Sequence, residues 1–383
     1  MIPDAALVAE WLGRLVRIPS VNPNQTGPKA GTPGEKAIAQ ALADDFEALG
    51  ATVELYEVTE DGRPNVYATI PGHTDRLVVL DVHTDTVSVE HMTDDPFDGR
   101  IEDGRVWGRG AVDTKASLAI ALSLAKSWKT NGLKPTPTFL VVGSISEETG
   151  GLLGAIAFRE WAEARGLTVD QLIVSEPTLC SPLYGHKGGC GMQVDIFGEA
   201  AHSSTPHLGR NAIVAAARAI VALQGEHDRL QRLPPTSDVG NGTLTTALIT
   251  GGTGGNVVPD RCTFNIGRRI APFEDPDEIE PILQALIREA AKPCTVEFTP
   301  TAHSKAFYQS PDSPLVRGLA AWAGTQPTTA PYGTNALRYE GFAKEIVVFG
   351  PGSIDQAHKA QEWVELAELD RATKALWQWL QPR

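Results

Sequence analysis

The sequence predicts a two-domain α/β fold: a mixed, largely parallel sheet forming a catalytic domain, interrupted by an inserted α+β domain of ferredoxin-like plan. Three observations predict it. Apolar β-branched runs alternate with helical patterns through the first half of the chain, the texture changes at about Gly185, and the first texture returns near the C-terminus. At 383 residues the chain also exceeds what one hydrophobic core usually supports.

The opening stretch MIPDAALVAEWLGRLVRIPS spaces its apolar residues helically, with acids early and Arg14 and Arg17 late. That order reads as an amphipathic helix of the mature domain, unlike the basic-then-apolar order of a secretory signal. LVVLDVH (77–83), TFLVVGSIS (138–146) and QLIVSEP (171–177) read as short buried strands, with SLAIALSLAKSWK (117–129) as a helix between the first two. From Gly185 the order becomes strand (MQVDIFGEA), helix (HLGRNAIVAAARAIVALQ), two strands (TLTTALITGG, RCTFNIGRRI), helix (DEIEPILQALIREAAK) and strand (CTVEFTP). The tail returns to a buried strand, EIVVFGPG, and a covering helix, WVELAELDRATKALWQWL. The expected division is residues 1–184 with 299–383 as the metal-binding catalytic domain and 185–298 as an inserted lid and dimerisation domain.

Composition excludes several classes. The formal charge of −14, from 33 basic and 47 acidic residues with no Lys/Arg run, opposes a nucleic-acid partner. No stretch approaches the about 20 apolar residues of a membrane span. Cys180, Cys190, Cys262 and Cys294 form no CxxC pair, which argues against thiolate zinc or redox chemistry and fits reduced cysteines in a cytoplasmic protein. GGTGGN lacks the Lys-Ser/Thr of a phosphate loop.

The chemistry gathers where apolar runs end, and the carboxyl ends of strands are where α/β sheets collect ligands. His83 and Asp85 stand two apart after LVVLDV, Asp113 ends WGRGAVD, Glu147 and Glu148 are adjacent in SISEET, Glu176 follows QLIVS, and His358 follows EIVVFGPG. Each has a plain alternative. Asp113 could cap the following helix, and the Glu pair could be a solvated turn. Together, two His and several carboxylates without Cys suit a pair of borderline divalent ions, zinc first, with cobalt or manganese able to substitute.

The motifs LDVHTDTV, GRGAVDTK, EET, SEP, GEAAHSSTP with GRNAI, GGTGGNVVPD and GPGSIDQAH, in this order, resemble the acetylornithine deacetylase, succinyl-diaminopimelate desuccinylase, carboxypeptidase G and aminoacylase family. The resemblance implies that Asp113 bridges two metals, with His83 and Glu176 completing one site and Glu148 and His358 the other. It implies Glu147 as general base, Asp85 as the brace of His83, and a cis peptide between Asp113 and Thr114. It further implies that His202 reaches a neighbouring subunit's site in a homodimer, and that Asn256, Arg269 and Thr334 bind substrate. His207 has no such counterpart.

Some positions depart from the pattern. Val82 and Ala116 stand where glycine is usual, Gly267 where an Asp is common, and Asn335 where an acid often follows the Gly-Thr pair. The neutral Asn335 speaks against a cationic substrate such as acetylornithine. The expected activity is removal of a short acyl group from an N-acyl-L-amino acid, with a metallo-exopeptidase acting on dipeptides or a C-terminal residue as the alternative. All six metal-ligand and base positions are intact, which opposes a non-catalytic binding relative.

Overall fold

In a computed structural model that describes all 383 residues, the chain divides into two units, residues 1–184, 309–328 and 334–383 forming the first and residues 185–308 with 329–333 the second. The sheet of the first unit contains β1 (Thr52–Glu57), β2 (Pro64–Ile70), β3 (Thr74–His83), β4 (Pro137–Ser144), β5 (Val169–Val174) and β6 (Ala343–Val348). Their spatial order is β1-β2-β4-β3-β5-β6. β4, β3, β5 and β6 run parallel, while β1 and β2 form an antiparallel edge.

β3 is buried without interruption from Leu77 to His83, the pattern of a parallel strand covered on both faces. The helix Lys115–Asn131 is alanine- and serine-rich and buried almost all round, and it ends at Gly132, whose φ of 60° provides the left-handed cap. It packs with the helices Ala5–Val16 and Leu366–Leu380. No helix is long and apolar enough to cross a membrane.

In the second unit the strands Thr243–Thr245, Arg261–Ile270, Gly188–Phe197 and Thr295–Ser304 lie side by side in that order, all antiparallel. Numbered by chain position the order is 2-3-1-4, the ferredoxin-like plan. Arg261–Ile270 alternates buried and more exposed residues, and its inward face joins the helices Ala212–Arg232 and Pro276–Ala291 in a core that includes Met192, Val194, Ala216, Phe264, Ile266 and Ile287.

Two expectations change. The boundary at 298/299 falls inside Thr295–Ser304, whose pairing with Gly188–Phe197 keeps the whole strand in the second unit. TLTTALITGG is two short strands, Thr243–Thr245 and Ile249–Gly251, because the Asn265 side chain accepts from the backbone N–H of Ala247 (3.1 Å) and Leu248 (2.7 Å) and holds them off the ladder. The antiparallel edge strands β1 and β2 have no counterpart in the sequence reading.

Candidate metal centre

The parallel registers set His83 of β3 opposite Ser144 of β4, Asp81 opposite Val174 of β5, and Val174 opposite Val348 of β6. The loops that follow these strands therefore emerge at one end of the sheet, carrying Glu147 and Glu148, Glu176 and His358. Asp113 arrives from the turn before the helix Lys115–Asn131, where Thr114, not Asp113, occupies the cap position. The Asp113–Thr114 peptide is cis, as the resemblance implies. Thr114 Oγ1 donates to the His83 carbonyl at 3.0 Å.

Asp113 lies at the middle of the cluster. One carboxylate oxygen is 3.0 Å from His83 Nε2 and the other 3.2 Å from His358 Nε2. His358 Nε2 is also 3.0 Å from Glu148. The ligand atoms of His83, Asp113 and Glu148 lie within 4.8 Å of one another, as do those of His83, Glu147 and Glu176. His358, with 53% of its side chain exposed, is the most open member of the cluster; Glu147 and Glu148 are half-buried, and His83, Asp113 and Glu176 are buried.

Burial pushes Glu147 up to about 8 and Glu148 to about 7, and raises Glu176 well above the carboxylate range. Neighbouring acids add to the rise: Asp113 beside Glu148, and Glu147 beside Glu176. Burial would raise Asp113 too, but hydrogen bonds from His358 and His83 hold it far below its ordinary value. Four carboxylates cannot all ionise in so small a buried space without added positive charge, and Glu148 Oε1 is buried with no hydrogen-bond partner. Imidazole and carboxylate donors on both sides of Asp113 fit a pair of divalent ions.

Asp85 does more than brace His83. His83 Nδ1 is 2.9 Å from the Asp85 backbone carbonyl, and the Asp85 carboxylate stands farther off at 3.6 Å. That carboxylate instead accepts from the backbone N–H of Glu147 (3.0 Å) and Glu148 (3.1 Å) and from Asn22 Nδ2 (2.8 Å). The contact to His83 thus runs through the main chain, while the charged group fixes the Glu147–Glu148 turn. Asn22 was missing from the sequence reading; the turn-like VNPN is its only local signal.

His202, Asn256 and Arg269 belong to the second unit, and each is exposed there. His202 Nδ1 lies 2.7 Å from the Ser204 hydroxyl and 3.2 Å from the Ser204 backbone nitrogen, so both contacts fall on one side of the ring and Nε2 faces away from them. The Asn256 carbonyl accepts from Ser203 N at 3.0 Å. Arg269 lies opposite Gly189 in the sheet. Thr334, in the first unit, is buried, and its hydroxyl caps the short helix Asn335–Arg338 by accepting from Ala336 N at 3.1 Å. Asn335 is buried as well, with its amide donating to Asp81 and Ser144. The neutral amide at this position is thus held by Asp81 and Ser144, while its carbonyl oxygen is buried without a partner.

The chain is similar to known proteins. The chain is 31% identical to an acetylornithine deacetylase of Vibrio vulnificus over 346 residues, covering 88% of this chain and 89% of the relative. It is 29% identical to a probable carboxypeptidase of Arthroderma gypseum over 390 residues, covering 93% of this chain and 80% of the relative. Among solved structures, a tripeptidase from Staphylococcus aureus superposes with a TM-score of 0.78 at 21% identity, over 98% of this chain and 97% of that one. The model of peptidase family M20/M25/M40 matches residues 79–381, a span that holds every member of the cluster around Asp113, and the chain belongs to that family of metal-dependent amidohydrolases and peptidases.

Proposed function

We propose that this protein is a two-zinc hydrolase that removes the acyl group from an N-acyl-L-amino acid, with Glu147 as general base. The observation that carries the reading is the cluster of His83, Asp113, Glu147, Glu148 and Glu176, with the half-exposed His358 at its edge. Asp113 would bridge the ions, His83 and Glu176 would hold one, and Glu148 and His358 the other. The ions supply Lewis acidity, which acidifies water and polarises the scissile carbonyl, and cobalt or manganese would serve in place of zinc.

Glu147 takes the proton from the attacking water and passes it to the leaving amine, a task suited to a carboxylate that stands beside the ligand Glu148 without being a ligand itself. Asp85 keeps that carboxyl in place through the Glu147 and Glu148 amides. His202, engaged by Ser204 through Nδ1, stabilises the developing oxyanion through Nε2. Asn256 and Arg269 receive the substrate α-carboxylate, for which a planar guanidinium is suited. Thr334 contributes by shaping the turn it caps.

A homodimer is part of this reading. On the helix Ala212–Arg232, Val214 and Val221 lie on one face and are 51% and 71% exposed. Leu248 and Ile249 are 70% and 54% exposed beside the short strand Ile249–Gly251, which pairs only on the side of Arg261–Ile270. An apolar helix face next to an open strand edge suits a second copy of the chain. The four free, buried cysteines suit a cytoplasmic location.

A metallo-exopeptidase on the same centre is the second reading, favoured by the carboxypeptidase relative. The two separate on substrate. Zinc- and cobalt-loaded enzyme should show the higher kcat/KM on acetylated amino acids than on dipeptides, and the reverse ranking would establish the exopeptidase. Glu147→Gln should keep two metals per chain and lose about 100-fold or more in kcat. Loss of a metal from Glu147→Gln, with both retained by Glu148→Gln, would exchange the roles of the two residues.

A further inference from the structure

Residues 105–107 and 363–365 form an antiparallel ladder that pairs Trp107 with Trp363 and Glu365 with Arg105. It continues one bond further, from Gly108 N to the Glu362 carbonyl at 3.0 Å. The turn that leads to Asp113 and the turn that leaves His358 therefore start from the same pair of strands. Arg105 stacks over the Trp363 ring at 3.8 Å, closing the outer side of this ladder.

Between the two turns lies an ion pair with almost no exposure: Arg109 Nη1 meets Glu362 Oε2 at 2.5 Å, the side chains being 1% and 0% exposed. The other Glu362 oxygen accepts from the backbone N–H of Val112 (3.0 Å) and Asp113 (3.2 Å). Arg109 Nη2 reaches the carbonyls of Ser88 (3.0 Å) and Lys359 (3.3 Å), the latter adjoining His358. The cation thus grips the segment carrying His358, and the carboxylate grips the backbone of Asp113.

We infer that Arg109 and Glu362 act as one positioning unit, coupling the turn that carries Asp113 to the turn that carries His358 so that both present their ligand atoms to the same metal pair. The inference rests on the two-metal reading of the cluster. Neither residue touches the ligand atoms; both act through the backbone that bears them. A buried pair is a costly way to gain stability, because desolvation of both charges offsets much of their attraction. Arg109 Nε has no partner and Nη2 also meets Ser88 and the His91 ring, but the pair's bonds to Val112, Asp113 and Lys359 reach main-chain groups at or beside two metal ligands, which a pair of apolar side chains could not replace. Partners that orient metal ligands typically change metal affinity by about 10–100-fold when removed.

The test uses the full-length chain. Glu362→Gln keeps the side-chain shape and one acceptor oxygen but removes the charge that holds Arg109. Leu376→Ala, a core truncation in the helix Leu366–Leu380, provides a destabilised comparison that leaves the two turns untouched. Zinc affinity is read by competition with a chromophoric chelator, and site geometry by the visible spectrum of the cobalt-loaded protein. Glu362→Gln should bind zinc about 10–100-fold more weakly, change the cobalt spectrum and lose kcat more than it raises KM, while Leu376→Ala keeps wild-type affinity and spectrum. Arg109→Lys, which retains the charge and loses the fork to Ser88 and Lys359, should fall between them.

The inference is overturned if Glu362→Gln is folded and binds metal with wild-type affinity and spectrum, or if Leu376→Ala shifts affinity equally. Failure of the wild-type chain to bind two metals would instead remove the two-metal reading, an outcome seen before any variant is compared.

Discussion

Asn335 donates its amide to Asp81 Oδ2 and to Ser144 Oγ, both at 3.0 Å, and the Tyr339 hydroxyl donates to the same Asp81 oxygen at 2.8 Å. Burial pushes the Asp81 carboxyl up, and these donors pull it back. An acid at position 335 would set a second carboxylate against the first. Asn335→Asp should therefore destabilise the metal-free protein by roughly 3 kcal/mol at pH 8, as an uncompensated buried charge does. The cost should shrink at pH 5. The new carboxyl would have its folded-state pKa raised above the unfolded value, so its stability is present below the unfolded value and lost as pH rises through the folded one. Urea unfolding at both pH values checks the sign, and Asp81→Asn with Asn335→Asp should recover most of the loss. Equal cost at both pH values would show that charge is not the cause. At this scale the sequence reads well where a residue acts through its own chemistry, as the His and carboxylates at the strand ends do. Asn22, Asp81, Arg109 and Glu362 act through partners tens to hundreds of residues away, and no local pattern marks them.

Elements with a strong period were legible, and those fixed by a neighbour were not. The parallel strands are continuous apolar runs, and Arg261–Ile270 alternates by twos, so both patterns announce themselves. β1 is half-exposed along its length and takes its place from pairing with β2, which a local reading does not see. The turn after Trp107 is a similar case. Gly108 has a φ of 128°, and a Cβ there would come within 2.5 Å of Val16 Cγ1 and 2.9 Å of the Pro96 carbonyl oxygen. Gly104, on the same hairpin, has a φ of 74° but open space around it. Gly108→Ala should cost about 1–3 kcal/mol and weaken metal binding, because the displaced backbone leads directly to Asp113. Gly104→Ala should cost about 1 kcal/mol and leave metal affinity unchanged. Thermal unfolding and chelator competition on both variants separate strain in the hairpin from displacement of the ligand.

For the whole molecule, the proposed dimer must form against a formal charge of −14 per chain, so apolar area on the second unit has to supply the attraction. Val221→Glu places another negative charge on that unit, at an apolar residue that is 71% exposed, and sedimentation should show a monomer that still binds two metals. Loss of activity in that monomer would mean that the site is incomplete within one chain. Complementation identifies the missing piece. A Glu147→Gln chain lacks the base and keeps His202; a His202→Ala chain keeps the base and lacks the oxyanion donor. In a mixed dimer the base of the second chain would meet the His202 of the first, giving one working site of the two, while each homodimer stays nearly inactive. Labelled chains verify that subunits exchange before activity is read. Exchange with activity at background would mean that His202 serves its own chain or no chain, and the composite site would have to be abandoned even if the dimer itself stands.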